Sequence, residues 1–263
     1  MKVCVIGAGP SGLTTIKQLL DENHDVTCFD ANESVGGIWY RGGDDGQQMK
    51  AYDNMMLTVS MKMMSFSDFI FKDGRKFTDH KGYLRYLEEY SDKFGLARHI
   101  KFNSLVKEVI RESDGSWIVK VKVGDKRVST HRFEAVAICS GPFKTANTEI
   151  GEIEGFTGEV VHSKSYRNSK DFEGKKVLAI GLAESGADML REVSNVAQKC
   201  VVSIRSHTFL IPRLIYGKYS TDTLTTRSHH YEMWNRASKI KFQMKSYSQD
   251  SWALRNIFLG VAN

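Results

Sequence analysis

The sequence predicts an α/β fold in which two parallel-sheet units flank a small antiparallel β meander. Two stretches, one beginning near residue 3 and the other near residue 177, each read as strand, glycine-rich turn, helix and strand. Between them, apolar and polar residues alternate with a period of two, which is typical of half-buried antiparallel strands. The two units lie far apart in the chain, so they indicate two separate nucleotide-binding folds rather than a tandem repeat.

The first unit carries a glycine motif at the position where a phosphate would be bound. An apolar strand over residues 3–6 leads into the turn, a helix with Leu13 and Ile16 on one face follows, and a second strand covers residues 26–29. Glycines here permit a tight turn and a close backbone approach to a pyrophosphate, which the helix N-terminus attracts. Asp30 ends the second strand, where a carboxylate accepts hydrogen bonds from an adenosine ribose. The predicted binding residues of this motif are Gly7, Gly9, Pro10, Ser11, Gly12 and Asp30.

The middle of the chain changes from a helical to a strand pattern. Apolar residues at helical spacing predict a helix over residues 83–94. From Leu105 onward the period is two, with turn signals at residues 114–115 and 124–125, so we expect a meander. The run 135–139 is apolar throughout, which is typical of a buried parallel strand that returns to the main sheet.

The second unit carries a variant of the same motif. A connector over residues 141–174 precedes a strand, the sequence Gly181-x-Ala183-x-x-Gly186, a helix and another strand. Alanine replaces the middle glycine, and its methyl group reduces the space in which a phosphate could approach the backbone. The strand is followed by Arg205 and not by an acid, and a guanidinium suits a ribose 2′-phosphate, so NADPH is favoured over NADH. The residues expected to contact it are Gly181, Ala183, Glu184, Ser185, Gly186, Arg205 and Ser206.

Composition restricts the class of protein. The chain is 41% apolar and 26% charged, and no apolar run approaches the roughly 20 residues that a membrane span requires. The first strand follows Met1 directly, which leaves no room for a signal peptide and predicts a cytoplasmic protein. The four cysteines include no Cys-x-x-Cys pair, so reduced core residues are expected. The basic excess lies in residues 205–263 and by itself indicates no nucleic-acid partner.

Two further features concern metals and the end of the chain. The pair His229-His230 is adjacent and therefore not spaced to bind a metal from one face of a helix, and no metal site is predicted. Apolar residues at helical spacing over 233–244 predict an amphipathic helix that packs against a domain.

Several segments resemble the flavin-containing monooxygenase family, and together they cover nearly the whole chain. Residues 33–39, Glu-Ser-Val-Gly-Gly-Ile-Trp, are similar to the segment of FAD-binding proteins of the glutathione-reductase-like superfamily in which a Gly-Gly pair passes close to the flavin. Residues 63–69 resemble the family's flavin-proximal segment, and residues 138–143 resemble the strand end that leads into its linker. The linker itself carries the pattern Phe-x-Gly-x-x-x-His-x-x-x-Tyr. These matches add Gly37, Ile38 and Trp39 to the expected FAD contacts, and Phe156, Gly158, His162 and Tyr166 as the family motif.

The resemblance implies a function. Two Rossmann-like domains, residues 1–150 for FAD with the meander and residues 151–263 for the linker and NADPH, would together reduce the flavin. A flavin hydroperoxide formed with O2 would then oxygenate a soft nitrogen or sulfur nucleophile, such as a small amine or sulfide. Tyr166 stands where Baeyer-Villiger enzymes usually have Trp, which favours the N- and S-oxygenating branch. The motif is expected to serve linker geometry and cofactor placement more than proton transfer.

Two departures from the family leave the function open to more than one interpretation. Thr58 stands where the family commonly places an Asn near the flavin, so it is the candidate catalytic residue and makes an uncoupled NADPH oxidase a competing hypothesis. Family members are considerably longer, and no segment that returns to complete the FAD domain is visible. A Baeyer-Villiger monooxygenase and a truncated, non-catalytic nucleotide-binding protein are further hypotheses, and both a monomer and a homodimer remain open.

Overall fold

The computed structural model describes residues 1–42, 51–71, 77–124, 127–143, 155–206 and 211–224. The chain divides into two compact units, Met1–Leu210 and Ile211–Asn263. In the first unit the strands are β1 (Lys2–Ile6), β2 (Asp25–Phe29), β3 (Ile100–Lys101), β4 (Ser104–Arg111), β5 (Trp117–Val123), β6 (Arg127–Phe133), β7 (Ala135–Ile138), β8 (Lys176–Ile180) and β9 (Lys199–Ser203). Its α-helices are α1 (Pro10–Asp21), α2 (Met61–Met64), α3 (His80–Lys93) and α4 (Glu184–Ser194).

The main sheet is parallel, with the strand order β3-β2-β1-β7. β1 pairs with β2 on one side and with β7 on the other, so Val3 lies between Val26 and Ala135. This confirms the prediction that the apolar run 135–139 returns to the first sheet. The predicted burial of this strand is wrong: its first three residues are half-buried and Ile138 is 72% exposed, because β7 is the last strand of the sheet in the described residues. Because side chains alternate along a strand, β1 presents Val5 to one face and Cys4 to the other.

Each face of this sheet is covered by a different layer. On one face, α1 and α3 bury Leu13, Ile16, Tyr86 and Leu87 against the sheet. On the other face, the meander β4-β5-β6 packs Val119, Val121 and Phe133 against Cys4 and Phe29. The meander predicted from the two-residue period is therefore confirmed, and it forms a layer of its own.

Helix α3 begins three residues before the predicted start. The carboxylate of Asp79 accepts a hydrogen bond from the Gly82 backbone N–H at 2.7 Å, which caps the helix and lets it begin at His80. At the other end, Gly95 has a φ of +62°, a left-handed conformation that ends helices.

The second βαβ unit is smaller. β8 and β9 form a two-stranded parallel sheet, and α4 packs on it through Val193 and Met189. The predicted strand, helix and strand are thus confirmed to within about one residue at each strand end. The predicted helix over 233–244 lies outside the described residues.

The unit Ile211–Asn263 is described only over residues 211–224. There, β10 (Leu214–Ile215) and β11 (Tyr219–Ser220) form an antiparallel pair, followed by a short 3₁₀ helix over Thr221–Leu224.

All four cysteines are free thiols; Cys4 and Cys28 lie in the core as predicted, whereas Cys139 and Cys200 are only half-buried. Burial raises the pKa of Cys4 to about 12. In the part of the chain that the structure covers, no helix combines the length and apolar character needed to cross a membrane.

Candidate dinucleotide sites

The first glycine motif forms the turn between β1 and α1. Gly7 has a φ of +101°, and a Cβ there would approach the Cys139 carbonyl oxygen to 2.5 Å, so only glycine fits. Its N–H donates to the Phe29 carbonyl at 2.8 Å, which fixes the turn between the ends of β1 and β2. Gly9 is the N-cap of α1 and Pro10 its first residue, so the first-turn N–H groups face the space beyond the strands.

Asp30 is buried directly beyond β2. Its Oδ2 accepts the Ala8 N–H at 2.6 Å, and its Oδ1 accepts the Asn32 N–H at 2.7 Å. Each carboxylate oxygen keeps a further lone pair, so Asp30 can accept ribose hydroxyls while the backbone holds its orientation.

The Gly-Gly segment closes over the glycine turn. The Gly36 N–H donates to the Ala8 carbonyl at 3.0 Å, and a Cβ on Gly37 would lie 3.2 Å from Gly9 Cα. The following residues form a short 3₁₀ helix, Gly37–Trp39, in which Trp39 packs edge-on against Tyr83 at 4.9 Å between ring centroids. The segment thus forms a wall beside the phosphate-binding turn.

Together these elements line a cavity of about 290 Å³. Among the predicted residues, those that line it are Gly7, Gly9, Pro10, Ser11, Asp30, Gly37, Ile38 and Trp39. Gly12 lies outside the lining and packs under the turn against the Gly7 carbonyl. The exposed side chain of Thr58 is also outside the lining, so its role stays a prediction.

Sequence reasoning missed part of the lining, namely residues 104–106 and 139–143. Residues 104–106 lie at the cavity because the Ser104 N–H donates to the Asp30 carbonyl at 2.8 Å. β4 then has a bulge between Val106 and Glu108, which turns the strand at the cavity edge. Residues 139–143 arrive because β7 ends beside β1, and ligands bind beyond the carboxyl ends of parallel strands. The sequence feature that could have revealed residues 139–143 is the apolar run that ends at Cys139, because it locates β7.

The second glycine motif repeats the first geometry. The Gly181 N–H donates to the Ser203 carbonyl at 2.9 Å, as Gly7 does to Phe29, and Gly181 has a φ of +92°. Ala183 is the N-cap of α4 with φ −85°, close to the −75° of Gly9. Alanine is therefore unstrained at this position, and Glu184, Ser185 and Gly186 form the first turn of the helix.

The residues that follow the second strand differ between the two βαβ units, in which that strand is β2 and β9 respectively. Because Ser203 occupies the hydrogen-bonding position of Phe29, Ile204 is the counterpart of Asp30, and Arg205 follows it. Ile204, Arg205 and Ser206 are all exposed at the end of β9. The acid of the first unit is thus replaced by an aliphatic side chain with a guanidinium next to it.

Two residues of the linker motif have defined contacts: His162 caps a turn and Tyr166 is buried. His162 caps the 3₁₀ helix Ser163–Ser165, where its Nδ1 accepts the Lys164 N–H at 3.0 Å. Tyr166 follows and is buried, and its hydroxyl donates to Glu192 of α4 at 2.7 Å. Phe156 is exposed, and Gly158 lies against its ring. His162 is thus the cap of this turn, and a role of the motif in cofactor placement stays a prediction.

No group of three His, Cys, Asp or Glu side chains in the described ranges is arranged to hold a metal ion. The pair His229-His230 lies outside those ranges.

Comparisons with known proteins agree with this geometry. Residues 1–249 match the model of the family described as flavin-binding monooxygenase-like. The chain is 36% identical to 4-hydroxybenzoate brominase (decarboxylating) of Marinomonas mediterranea, over 86% of this chain and 44% of that protein. It is 34% identical to the N-oxide-forming dimethylaniline monooxygenase 4 of Mus musculus, over 86% of this chain and 42% of that protein. The chain therefore spans less than half the length of these relatives.

Solved structures show the same relationship. S-allyl-L-cysteine S-oxygenase from Allium sativum superposes with a TM-score of 0.71 at 30% identity, covering 82% of this chain and 54% of that one. Oxidized steroid monooxygenase bound to NADP superposes with a TM-score of 0.60 at 27% identity, covering 91% and 44%. The chain belongs to the flavin-binding monooxygenase-like family, whose cofactors, FAD and NADP(H), are the two that were predicted.

Proposed function

We propose that this protein is an NADPH- and O2-dependent flavin monooxygenase that oxygenates soft nitrogen or sulfur nucleophiles such as small amines and sulfides. One observation carries the proposal: two glycine turns of matching geometry are followed by Asp30 in one unit and by Ile204 and Arg205 in the other. A carboxylate suits the free ribose hydroxyls of FAD, and a guanidinium suits the 2′-phosphate of NADPH.

The FAD would occupy the cavity in residues 1–150. The first-turn N–H groups of α1 at Ser11 and Gly12 would face the pyrophosphate, because the helix N-terminus favours negative charge. Asp30 would hold the adenosine ribose, and the wall Gly37–Trp39 would face the flavin side. The cavity fits such a group because Gly9 leaves open the space that a side chain would fill at the turn.

The NADPH would be held by residues 151–263. Its pyrophosphate would lie at the N-terminus of α4, beside Ala183, Glu184, Ser185 and Gly186, with the Ser185 hydroxyl as an added donor. Arg205 and Ser206 would contact the 2′-phosphate beyond β9.

Bound FAD would take electrons from NADPH and deliver one oxygen atom of O2 to the substrate. The chain has to orient both cofactors and exclude water from the flavin. The wall Gly37–Trp39 is suited to this exclusion because its Trp39 packs against Tyr83 and both side chains are buried. We propose that the Thr58 hydroxyl replaces the amide that the family commonly uses to hold flavin and nicotinamide.

The test is to load the purified protein with FAD and follow NADPH consumption, O2 consumption and product in the presence of an amine or a sulfide. One product molecule per NADPH supports the monooxygenase. Stoichiometric hydrogen peroxide without product would show an uncoupled oxidase, ketone conversion would show a Baeyer-Villiger enzyme, and no oxidation of NADPH would show a non-catalytic protein. Thr58→Asn should raise the ratio of product to peroxide if the hydroxyl is an imperfect substitute for the amide.

A second candidate function is bromination of a phenolic acid. The observation that favours it is the 36% identity to 4-hydroxybenzoate brominase, which exceeds the 34% identity to the N-oxide-forming relative. The same assay with bromide and 4-hydroxybenzoate separates the two functions. A brominated product with loss of carbon dioxide would replace the amine or sulfide assignment.

A further inference from the structure

Two tyrosines outside the second βαβ unit hold its helix. The Tyr52 hydroxyl donates to Asp188 Oδ2 at 2.7 Å, and the Tyr166 hydroxyl donates to Glu192 Oε2 at 2.7 Å. Asp188 and Glu192 are four residues apart, so both carboxylates lie on one face of α4. The two rings meet edge-on with centroids 5.5 Å apart, and both side chains are buried.

The segment that carries Tyr52 is fixed to the wall of the first cavity. The neighbouring Ala51 N–H donates to the Ile38 carbonyl at 3.0 Å, and Ile38 lines the cavity. On the other side, the Asp53 N–H donates to the Arg167 carbonyl at 2.8 Å, next to Tyr166.

The Asp53 side chain adds two further contacts. It pairs with Arg41 and accepts a hydrogen bond from the Asn168 amide at 2.9 Å. The bond from Asn168 and the bond from Arg41 lower the pKa of Asp53, so the carboxylate remains charged at neutral pH. Both tyrosines are thus attached to one hydrogen-bonded segment.

The other end of α4 is the second glycine turn. The Ala187 N–H donates to the Ala183 carbonyl at 2.9 Å, so Asp188 lies little more than one turn from the N-terminus of the helix. A helix moves as a rigid element over such a length. A contact that fixes Asp188 and Glu192 therefore also fixes the direction of the N–H groups at Glu184–Gly186.

We propose that Tyr52 and Tyr166, with Asp188 and Glu192, form an orienting clasp that sets the second phosphate-binding turn relative to the first cavity. The clasp rests on the proposed function, in which the two turns hold NADPH and FAD. Tyr52 and Tyr166 are positioning residues that act through α4, since neither lines the first cavity. Because orientation governs the reaction of two bound cofactors, the clasp should matter for reduction of FAD, in which NADPH is oxidised, more than for NADPH affinity.

The test uses the full chain loaded with FAD and the variants Tyr52→Phe, Tyr166→Phe and the double variant. Each keeps its ring and loses only the hydroxyl. The matched control is Tyr40→Phe, because the Tyr40 hydroxyl also donates to a carboxylate, but to that of Glu33, seven residues away and outside α4. We expect the double variant to lower the rate constant of FAD reduction at saturating NADPH by about tenfold, with the Kd for NADPH changed less than about twofold.

A second measurement keeps the clasp and the proposed function distinguishable. Hydrogen exchange of the α4 amides, measured without NADPH, should be faster in the double variant and unchanged in Tyr40→Phe. Unchanged α4 exchange in the double variant would overturn the clasp, whatever the activity. An unchanged reduction rate, or a loss explained by NADPH affinity or FAD content, would show that the tyrosines only pack. If the unmodified protein is not reduced by NADPH, the proposed function fails while the exchange result still decides the clasp.

Discussion

The glycines of the first motif differ in what a side chain would meet. A Cβ on Gly12 would overlap the Gly7 carbonyl oxygen, which is backbone and cannot move without opening the turn. A Cβ on Gly9 would have only an ordinary contact, 3.5 Å to Gly37 Cα. Glycine at position 12 is therefore required for folding, whereas glycine at position 9 is needed only because a phosphate approaches there.

These two glycines give a matched pair of variants. We expect Gly12→Ala to lower the midpoint of thermal unfolding and prevent FAD binding, because the turn itself is disrupted. Gly9→Ala should leave the unfolding midpoint of the FAD-free protein nearly unchanged and weaken FAD binding alone. Thermal unfolding and FAD titration of both variants check this. Equal destabilisation by both would contradict the geometry.

Arg205 is predicted to determine the preference for NADPH. Loss of a charge-assisted hydrogen bond costs about 1.5 to 3 kcal/mol, so Arg205→Ala should weaken NADPH binding by about 10- to 100-fold and leave NADH binding nearly unchanged. Titration with both nucleotides measures the effect. Lys199→Ala, at the opposite end of β9, is the control and should change neither affinity.

His80 is a buried side chain whose ring nitrogens have no hydrogen-bond partner among the described residues. Burial lowers its pKa below the usual 6.5. At pH values between the lowered pKa of His80 in the folded chain and the usual pKa of 6.5 in the unfolded chain, the unfolded chain binds more protons. The free energy of unfolding should therefore fall as the pH drops below about 6.5. His80→Phe should reduce this slope in denaturant titrations from about pH 7 to about pH 5.

A slope that His80→Phe leaves unchanged would contradict this assignment. Some slope should remain in the single variant, because burial and the nearby Lys101 and Lys2 also lower the pKa of His131. The double variant His80→Phe/His131→Phe should reduce it further.

At the scale of elements, the local sequence predicted those strands and helices whose residues carry a regular pattern. β1, α1 and β2 appear where the apolar spacing places them, and so do β8, α4 and β9. β3 was not predicted, since two residues, Ile100 and Lys101, become a strand only by pairing with β2. The start of α3 was missed because it depends on one capping contact.

That contact can be tested. Asp79→Ala should lower the free energy of unfolding by about 0.5 to 2 kcal/mol, since it leaves the Gly82 N–H without its cap. Asp79→Asn should recover much of the loss, because an amide oxygen also caps helices. Chemical unfolding of the two variants measures the difference, and equal losses would contradict a capping role.

The candidate site was partly predictable for the same reason. The residues near the glycine turn follow from local chemistry, and Asp30 ends a strand that the pattern locates. Residues 139–143 line the cavity because β7 pairs with β1, and residues 104–106 line it because the start of β4 is bonded to the chain just beyond β2, where the Ser104 N–H donates to the Asp30 carbonyl. Such neighbours depend on strand order, which residue spacing does not encode.

At the scale of the molecule, β8 and β9 have one apolar face that is exposed. Leu178, Ile180 and Val201 are 52%, 56% and 47% exposed, although parallel sheets are usually covered on both faces. The opposite face, with Val177 and Cys200, packs with the α4 cluster. Exposed apolar surface of this kind promotes association.

We therefore expect Leu178→Thr/Val201→Thr to raise the soluble yield and reduce self-association at micromolar concentration. Sedimentation velocity measures the change. The control Val177→Thr, on the covered face of the same strand, should instead lower stability because it buries a hydroxyl. Unchanged association in the first variant would show that this face does not drive it.

The pairing of β1 with β7 also has a consequence for biosynthesis. Val3 pairs with Ala135, and the Cys139 carbonyl closes on Gly7, so the first nucleotide turn contains atoms from both ends of a long stretch of chain. A ribosome that adds about 5 to 20 residues per second needs about 7 to 26 seconds to travel between them. Until then the edge of β1 has no partner on that side, and an unpaired edge of this kind is open to wrong strand pairing.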